Sequence, residues 1–182
     1  MNIKPLPIPL LALTAALLGL CGCAAPAPSG GMVASPAGDL TKHPEAVSVT
    51  VTGGAEVSSN SASQVANPDF TAALIKSIKQ SGIFAKIVPG GEPGAVYELQ
   101  VAIGVLDQPV IGADMTATLE ARWKLVRHSN GYVMWDETIK SSHTAGAREA
   151  FTGIERMRLA IDGAAKDNIR QGITRLGTLA LP

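Results

Sequence analysis

The sequence predicts an α+β domain of two layers: a mostly antiparallel sheet of four to five strands with two helices on one face, in the order β-α-β-β-β-β-α. Three observations carry this. Residues 97–105 and 115–125 place an apolar side chain at every second position, the period of a strand with one buried face. Residues 70–78 and 154–176 instead repeat apolar residues at spacings of three and four, the period of a helix with one buried stripe. Turn-forming Gly, Pro, Asn and Ser separate these runs. Helices on one face of a largely antiparallel sheet are a stable way to bury both apolar surfaces.

The elements follow in order. Ala46–Thr52, AVSVTVT, alternates Val with small polar residues and reads as a strand. Gly53–Ala66 is polar and reads as a flexible surface loop, with a partner-binding role as the alternative its length allows. Its Gly53-Gly54 lacks the remainder of a phosphate-binding loop. Asn67-Pro68-Asp69 suits a helix start, with Asn at the N-cap, Pro at the first helical position and an acid in the first turn. Phe70, Leu74 and Ile78 line one face of that helix and Gly82 stops it. Ile83–Val88 is a short strand before the turn Pro89–Gly94.

The strands over Tyr97–Val105 and Met115–Leu125 come next. Between them lies Asp107–Asp114, where Val110 and Ile111 either fold back onto their own sheet or are candidates for contact with a partner or a membrane. A hairpin then turns near Arg127–Tyr132. If Trp123 and Leu125 share an inward face with Val133, Trp135 and Ile139, all odd-numbered, paired positions sum to an even number and the loop has odd length. Ser129-Asn130-Gly131, with Gly131 left-handed and His128 opposite Tyr132, satisfies that. Trp123 and Trp135 then belong to the core, or line a pocket for lipid between sheet and helices.

The last helix begins at the capping-box pattern Thr152-x-x-Glu155, and Gly177 closes it. Its stripe is Ile154, Met157, Ile161, Ala165, Ile169, Ile173 and Leu176; Glu155, Arg158, Asp162, Lys166 and Arg170 run opposite. Ala160, Gly163, Ala164 and Gly172 allow close packing on the sheet, or on another subunit.

The first 44 residues are of another kind. Met1–Lys4 is short and positively charged, and Leu6–Leu20 is an uncharged apolar run that is short for a transmembrane helix. This is the pattern of an export signal. Both cysteines lie at its end, in Leu20-Cys21-Gly22-Cys23. That stretch resembles the lipobox of bacterial lipoproteins, with Leu at −3, Gly at −1 and Cys at +1. The resemblance implies cleavage after Gly22 and acylation of Cys23; Cys21 as the anchor would put the bulky Leu20 at −1. Ala24 after the anchor implies, by the same resemblance, sorting to the outer membrane rather than the inner one. The expected division is therefore 1–22 signal peptide, 23–44 lipidated Cys and a flexible Pro/Gly/Ser tether, and 45–182 a periplasmic domain.

Composition narrows the function further. The 182 residues carry 15 basic and 15 acidic side chains, and only 4% are aromatic. Neither a basic stripe nor a set of stacking rings points to nucleic acid. His43, His128 and His143 are scattered singly, so no metal site or other cofactor is expected. Ser141-Ser142-His143 is the nearest approach to a hydrolase or acyltransferase centre. Alternate strand residues share a face, leaving Ser141 beside His143 with no acid or glycine elbow near. The reading is an exposed strand end, and no enzyme.

The plan of lipobox, Pro/Gly/Ser segment, strand, helix ending in Ser81-Gly82, antiparallel strands and long final helix resembles YajG-type lipoproteins. More distantly it resembles LptE, the lipoprotein of the lipopolysaccharide translocon. Phe70–Leu74, the strand from Tyr97 and Ala150-Phe151 before the last helix carry the resemblance. It implies a part in outer-membrane or lipopolysaccharide assembly or envelope maintenance, through an envelope protein or lipid partner. An auxiliary lipid-binding subunit of a transporter is the alternative.

Overall fold

The computed structural model describes residues 29–36, 38–55, 64–90, 94–108 and 113–182. The elements are β1 (His43–Thr52), α1 (Asn67–Ser81), β2 (Phe84–Val88), β3 (Tyr97–Asp107), β4 (Met115–Arg127), β5 (Val133–Ala145) and α2 (Gly153–Leu176), in the expected order. A short 3-10 turn, Ser29–Met32, precedes them. The five strands form one sheet in the order β2-β1-β3-β4-β5. β1 runs parallel to both β2 and β3, while the longer β3–β4 and β4–β5 ladders are antiparallel.

The inward face of the sheet and the two helices share one core. Phe70, Leu74 and Ile78 of α1 are fully buried. Removing three such side chains from water contributes about 5–9 kcal/mol before entropy is charged, at ~1.5–3 kcal/mol each. Gly82 caps α1 in the left-handed conformation (φ 61°), its N–H donating to the Ile78 carbonyl. At the start of that helix the geometry differs from the expected Asn cap. Ala66 is the N-cap, and Asn67 turns away to hold Gly54, accepting from its N–H at 2.8 Å and donating to its carbonyl at 3.3 Å.

Two bulges move residues off the faces that strict alternation assigns. In β3 the register shifts between Ile103 and Leu106, so two residues oppose one on β4 and Val105 emerges into solvent. In β5 the pairs Ala121↔Ile139 and Leu125↔Trp135 have the expected even sum, but the next, Val126↔Val133, does not. Met134 is the extra residue. The turn is consequently four residues long, His128–Gly131, with Arg127 N–H donating to the Tyr132 carbonyl at 2.8 Å. Arg127 rather than His128 thus faces Tyr132. Gly131 is left-handed (φ 69°), as the sequence requires. Val133 is exposed instead of inward, and Trp135 is only partly buried against the core.

The segment read as tether also departs from expectation in its second half. Met32 and Ala34 are buried, and the Ala34 N–H donates to Ser77 Oγ at 2.9 Å. Gly31 lies against Asp162 of α2, where a Cβ would come within 2.7 Å of the carboxylate. Thr41 N–H donates to the Gly177 carbonyl at 2.9 Å. The chain therefore packs on α2 from Asp162 to its end before entering β1. Met32-Val33-Ala34 is a short apolar run among Gly and Pro, and the surface that buries it is built by residues far along the chain.

Candidate functional site

Helix α2 fixes most of the polar chemistry of the interior. It opens with the full capping box: Glu155 N–H donates to Thr152 Oγ1 and Thr152 N–H to the Glu155 carboxylate. It crosses β4 and β5 through the row Ala160, Ala164, Asn168 and Gly172, spaced by four and all buried. The Trp123 indole N–H donates to Asn168 Oδ1 at 2.9 Å. Asn168 Nδ2 donates to the Ile139 carbonyl at 2.9 Å and to Ser141 Oγ at 3.2 Å. Ser141 in turn donates to the Ala164 carbonyl at 2.8 Å. A polar residue within a row of small ones was the available sign of this network.

Ser141 is thereby a buried structural hydroxyl and not an exposed strand end. His143 packs on Gly163, where a Cβ would lie 2.1 Å from its ring. His43 is buried 5.1 Å from the Phe84 ring, and its Nε2 must be protonated to bond the Leu176 carbonyl at 3.1 Å. The three histidines belong to three different places. Among the described residues no group of three or more His, Cys, Asp or Glu is placed to hold a metal ion.

The space between Trp123 and α2 is closed by direct contact. Gly172 lies under the indole, with a Cβ there only 2.5 Å from the ring, and Leu125, Ile169 and Ile173 are fully buried. Trp135 stands 6.4 Å from Trp123, ring to ring, at the rim. Gly177 ends α2 in the right-handed conformation (φ −72°); its lack of a side chain makes room for Leu40.

The other face of the sheet carries polar cross-strand pairs. Arg122 makes a two-pronged ion pair with Asp136 at 2.7 and 2.8 Å, and Lys140 meets Glu120 at 2.8 Å. The bonds from Arg122 hold the Asp136 carboxyl below the ordinary carboxylate range, and Asp136 raises Arg122 in return. Thr50, Thr52, Gln100, Val101, Ala102, Arg122 and Lys124 line a shallow depression of about 380 Å³ there.

At the sheet end where β5 leads into α2, Phe151 is 96% and Ile154 72% exposed. Ile154 therefore leaves the buried stripe it was assigned to, while Gly153 beside it lies against Met115 of β4. The base of the Gly53–Ala66 loop is at the same end. An Ala55–Ala66 bridge pins it, and Gly53 (φ 85°) would put a Cβ 2.1 Å from the Ile103 carbonyl oxygen. The glycine pair serves this close backbone approach. Residues 56–63, Val110, Ile111 and everything before Ser29, Cys23 included, lie outside the described residues. No described helix is long and apolar enough to cross a membrane.

No family model and no curated protein matches the chain. Solved structures share its fold. Protein XCC0632 of Xanthomonas campestris, of the DUF330 family, superposes with a TM-score of 0.60 at 12% identity, over 79% of this chain and 90% of that one. Protein CT253 of Chlamydia trachomatis gives 0.53 at 10% identity, covering 75% and 98%. The PelC dodecamer subunit of Paraburkholderia phytofirmans gives 0.52 at 19% identity, covering 78% and 96%. At such identities the likeness is one of fold.

Proposed function

We propose that the chain is a lipid-anchored protein of the bacterial outer membrane, acylated at Cys23, whose periplasmic domain binds or scaffolds an envelope partner without catalysing a reaction. The observation that carries this reading is where the domain spends its reactive side chains. Of Ser141 and His143, the one catalytic candidate in the sequence, Ser141 is bonded to α2 and His143 lies against Gly163 of the same helix. The functional signal that remains is Leu20–Cys23. The YajG- and LptE-like plan supports a place in outer-membrane or lipopolysaccharide assembly. The alternative, a subunit carrying lipid between sheet and helices, would need space where Gly172 meets Trp123. The filled layer favours the scaffold.

The test is the intact mass of membrane-extracted protein beside a Cys23→Ser variant, followed by crosslinking in the envelope. A chain beginning at Cys23 and heavier by its acyl groups, with that mass lost in the variant, is the expected result. A chain retaining both cysteines unmodified would overturn the anchor and the localisation together.

A further inference from the structure

We propose that the domain stands on the membrane by its β5–α2 end, with Phe151 and Ile154 entering the headgroup region of the bilayer. This rests on Cys23 being the acylated residue.

The first part of the argument is length. Gly31 is seated on Asp162 and Ala34 is bonded to Ser77, so the leading segment is fixed to the domain from Gly31 onward. Eight steps of chain separate Gly31 from Cys23. At ~3.5 Å per residue they span at most about 28 Å.

The second part is position. Gly163, next to Asp162, packs on His143, two residues before β5 ends at Ala145. Gly31 is thus near the β5–α2 end. The opposite end, with the hairpin Arg127–Tyr132, begins at Val133, ten residues down β5 from His143. At ~3.3 Å per residue that is about 33 Å, before the turn is added. An anchor limited to about 28 Å cannot sit in a membrane on which the hairpin rests. Tyr132 and Val133, exposed at that far end, are thereby out of reach.

The third part is chemistry. Phe151 and Ile154 are the two most exposed large apolar side chains among the described residues. They are held out by built structure: the capping box fixes the turn, and the Arg156 guanidinium donates to the carbonyls of Ala150 at 3.0 Å and Phe151 at 3.1 Å. An aromatic and an aliphatic side chain projecting beside cationic stems match the composition of interfacial anchors. Arg148 and Arg156 are balanced by Glu149 and Glu155 nearby. Apolar insertion rather than attraction to anionic lipid is the driving force, and a zwitterionic bilayer suffices.

The processed protein has Cys23 as its sole cysteine, blocked by its acyl group, so one introduced thiol can be labelled cleanly. Ala147→Cys, exposed in the turn before Phe151, and Ser129→Cys, exposed in the far hairpin, would each carry an environment-sensitive dye. The acylated proteins would be placed in phosphatidylcholine vesicles containing a lipid-bound quencher. Quenching at position 147 several-fold greater than at 129 is expected. Phe151→Ser with Ile154→Ser should abolish that difference while urea unfolding stays unchanged, since both side chains already face solvent. An acylated protein quenched equally at both positions would overturn the orientation while leaving the anchor standing. If position 147 then crosslinks to a protein in intact envelopes, the patch serves a protein partner and the proposal fails. A protein without acyl mass would overturn anchor and orientation together.

Discussion

Asn168 is the best single point at which to test how the two layers are joined. Asn168→Ala removes the acceptor of the Trp123 indole N–H and the donor to the Ile139 carbonyl and Ser141 Oγ, all within the buried layer. An orphaned buried donor costs ~1–3 kcal/mol and each further hydrogen bond about 1 kcal/mol. Alanine returns about 0.6 kcal/mol through its better helix propensity. The balance is a loss of about 3 kcal/mol. In a domain of this size ~1 kcal/mol corresponds to about 2–4 °C, so the midpoint should fall by roughly 10 °C. Urea unfolding followed by tryptophan fluorescence is the assay, with Trp123→Phe and the double variant completing a cycle. Because the Phe variant has no indole to orphan, the two losses should be sub-additive by about 1 kcal/mol or more. A loss below about 1 kcal/mol, or an additive cycle, would refute the claim that this network joins α2 to the sheet.

Four further outcomes follow from the same geometry. Gly172→Ala should destabilise by about 1–3 kcal/mol despite favouring the helix, since the fully buried indole cannot retreat from a Cβ at 2.5 Å. Gly163→Ala should cost less in the same urea assay, because His143 is partly exposed and can swing aside. Thr152→Ala removes the cap of α2 and should cost about 1 kcal/mol, read as a lower urea midpoint with an unchanged slope. Asp136 is an acid whose pKa is lower folded than unfolded, so its contribution is present above the unfolded value and is lost as pH falls through the folded one. Asp136→Asn should therefore flatten the acid limb of the stability–pH profile and leave the alkaline limb as it was.

The sequence carried the order of elements because period is a local property. Tyr97 to Ile103 and Met115 to Leu125 alternate cleanly, and burial follows them residue by residue. Where a bulge adds a residue, alternation fails on one side of it. Val105 and Val133 are exposed for that reason, and nothing in their own neighbourhoods distinguishes them from inward valines. The hairpin parity was sound for the ladder and broke only at Met134. The burial of Met32 and Ala34 depends on a groove made by residues far along the chain, which no reading of a short Pro/Gly-rich stretch contains. Ser141 and His143 were placed on a shared face, as alternation demands, but which residues of α2 they meet there was not in the local pattern. Reactive residue types reveal their use only through their partners.

The strand order β2-β1-β3 has a consequence for how the chain assembles. The first strand to leave a ribosome or a translocation pore is the one that ends up between two others. Val47 pairs with Ile87 on one side and Tyr97 on the other, forty and fifty residues later. The β3–β4–β5 meander closes between neighbours in sequence, while β1 meets its first partner only once β2 has been made and its second only with β3. During that interval its unpaired backbone and Val47, Val49 and Val51 are available to any other edge. The earliest strand thus waits longest to have both its edges covered. A holding chaperone on the emerging N-terminal half would act on the step at which this protein is most exposed to misassembly.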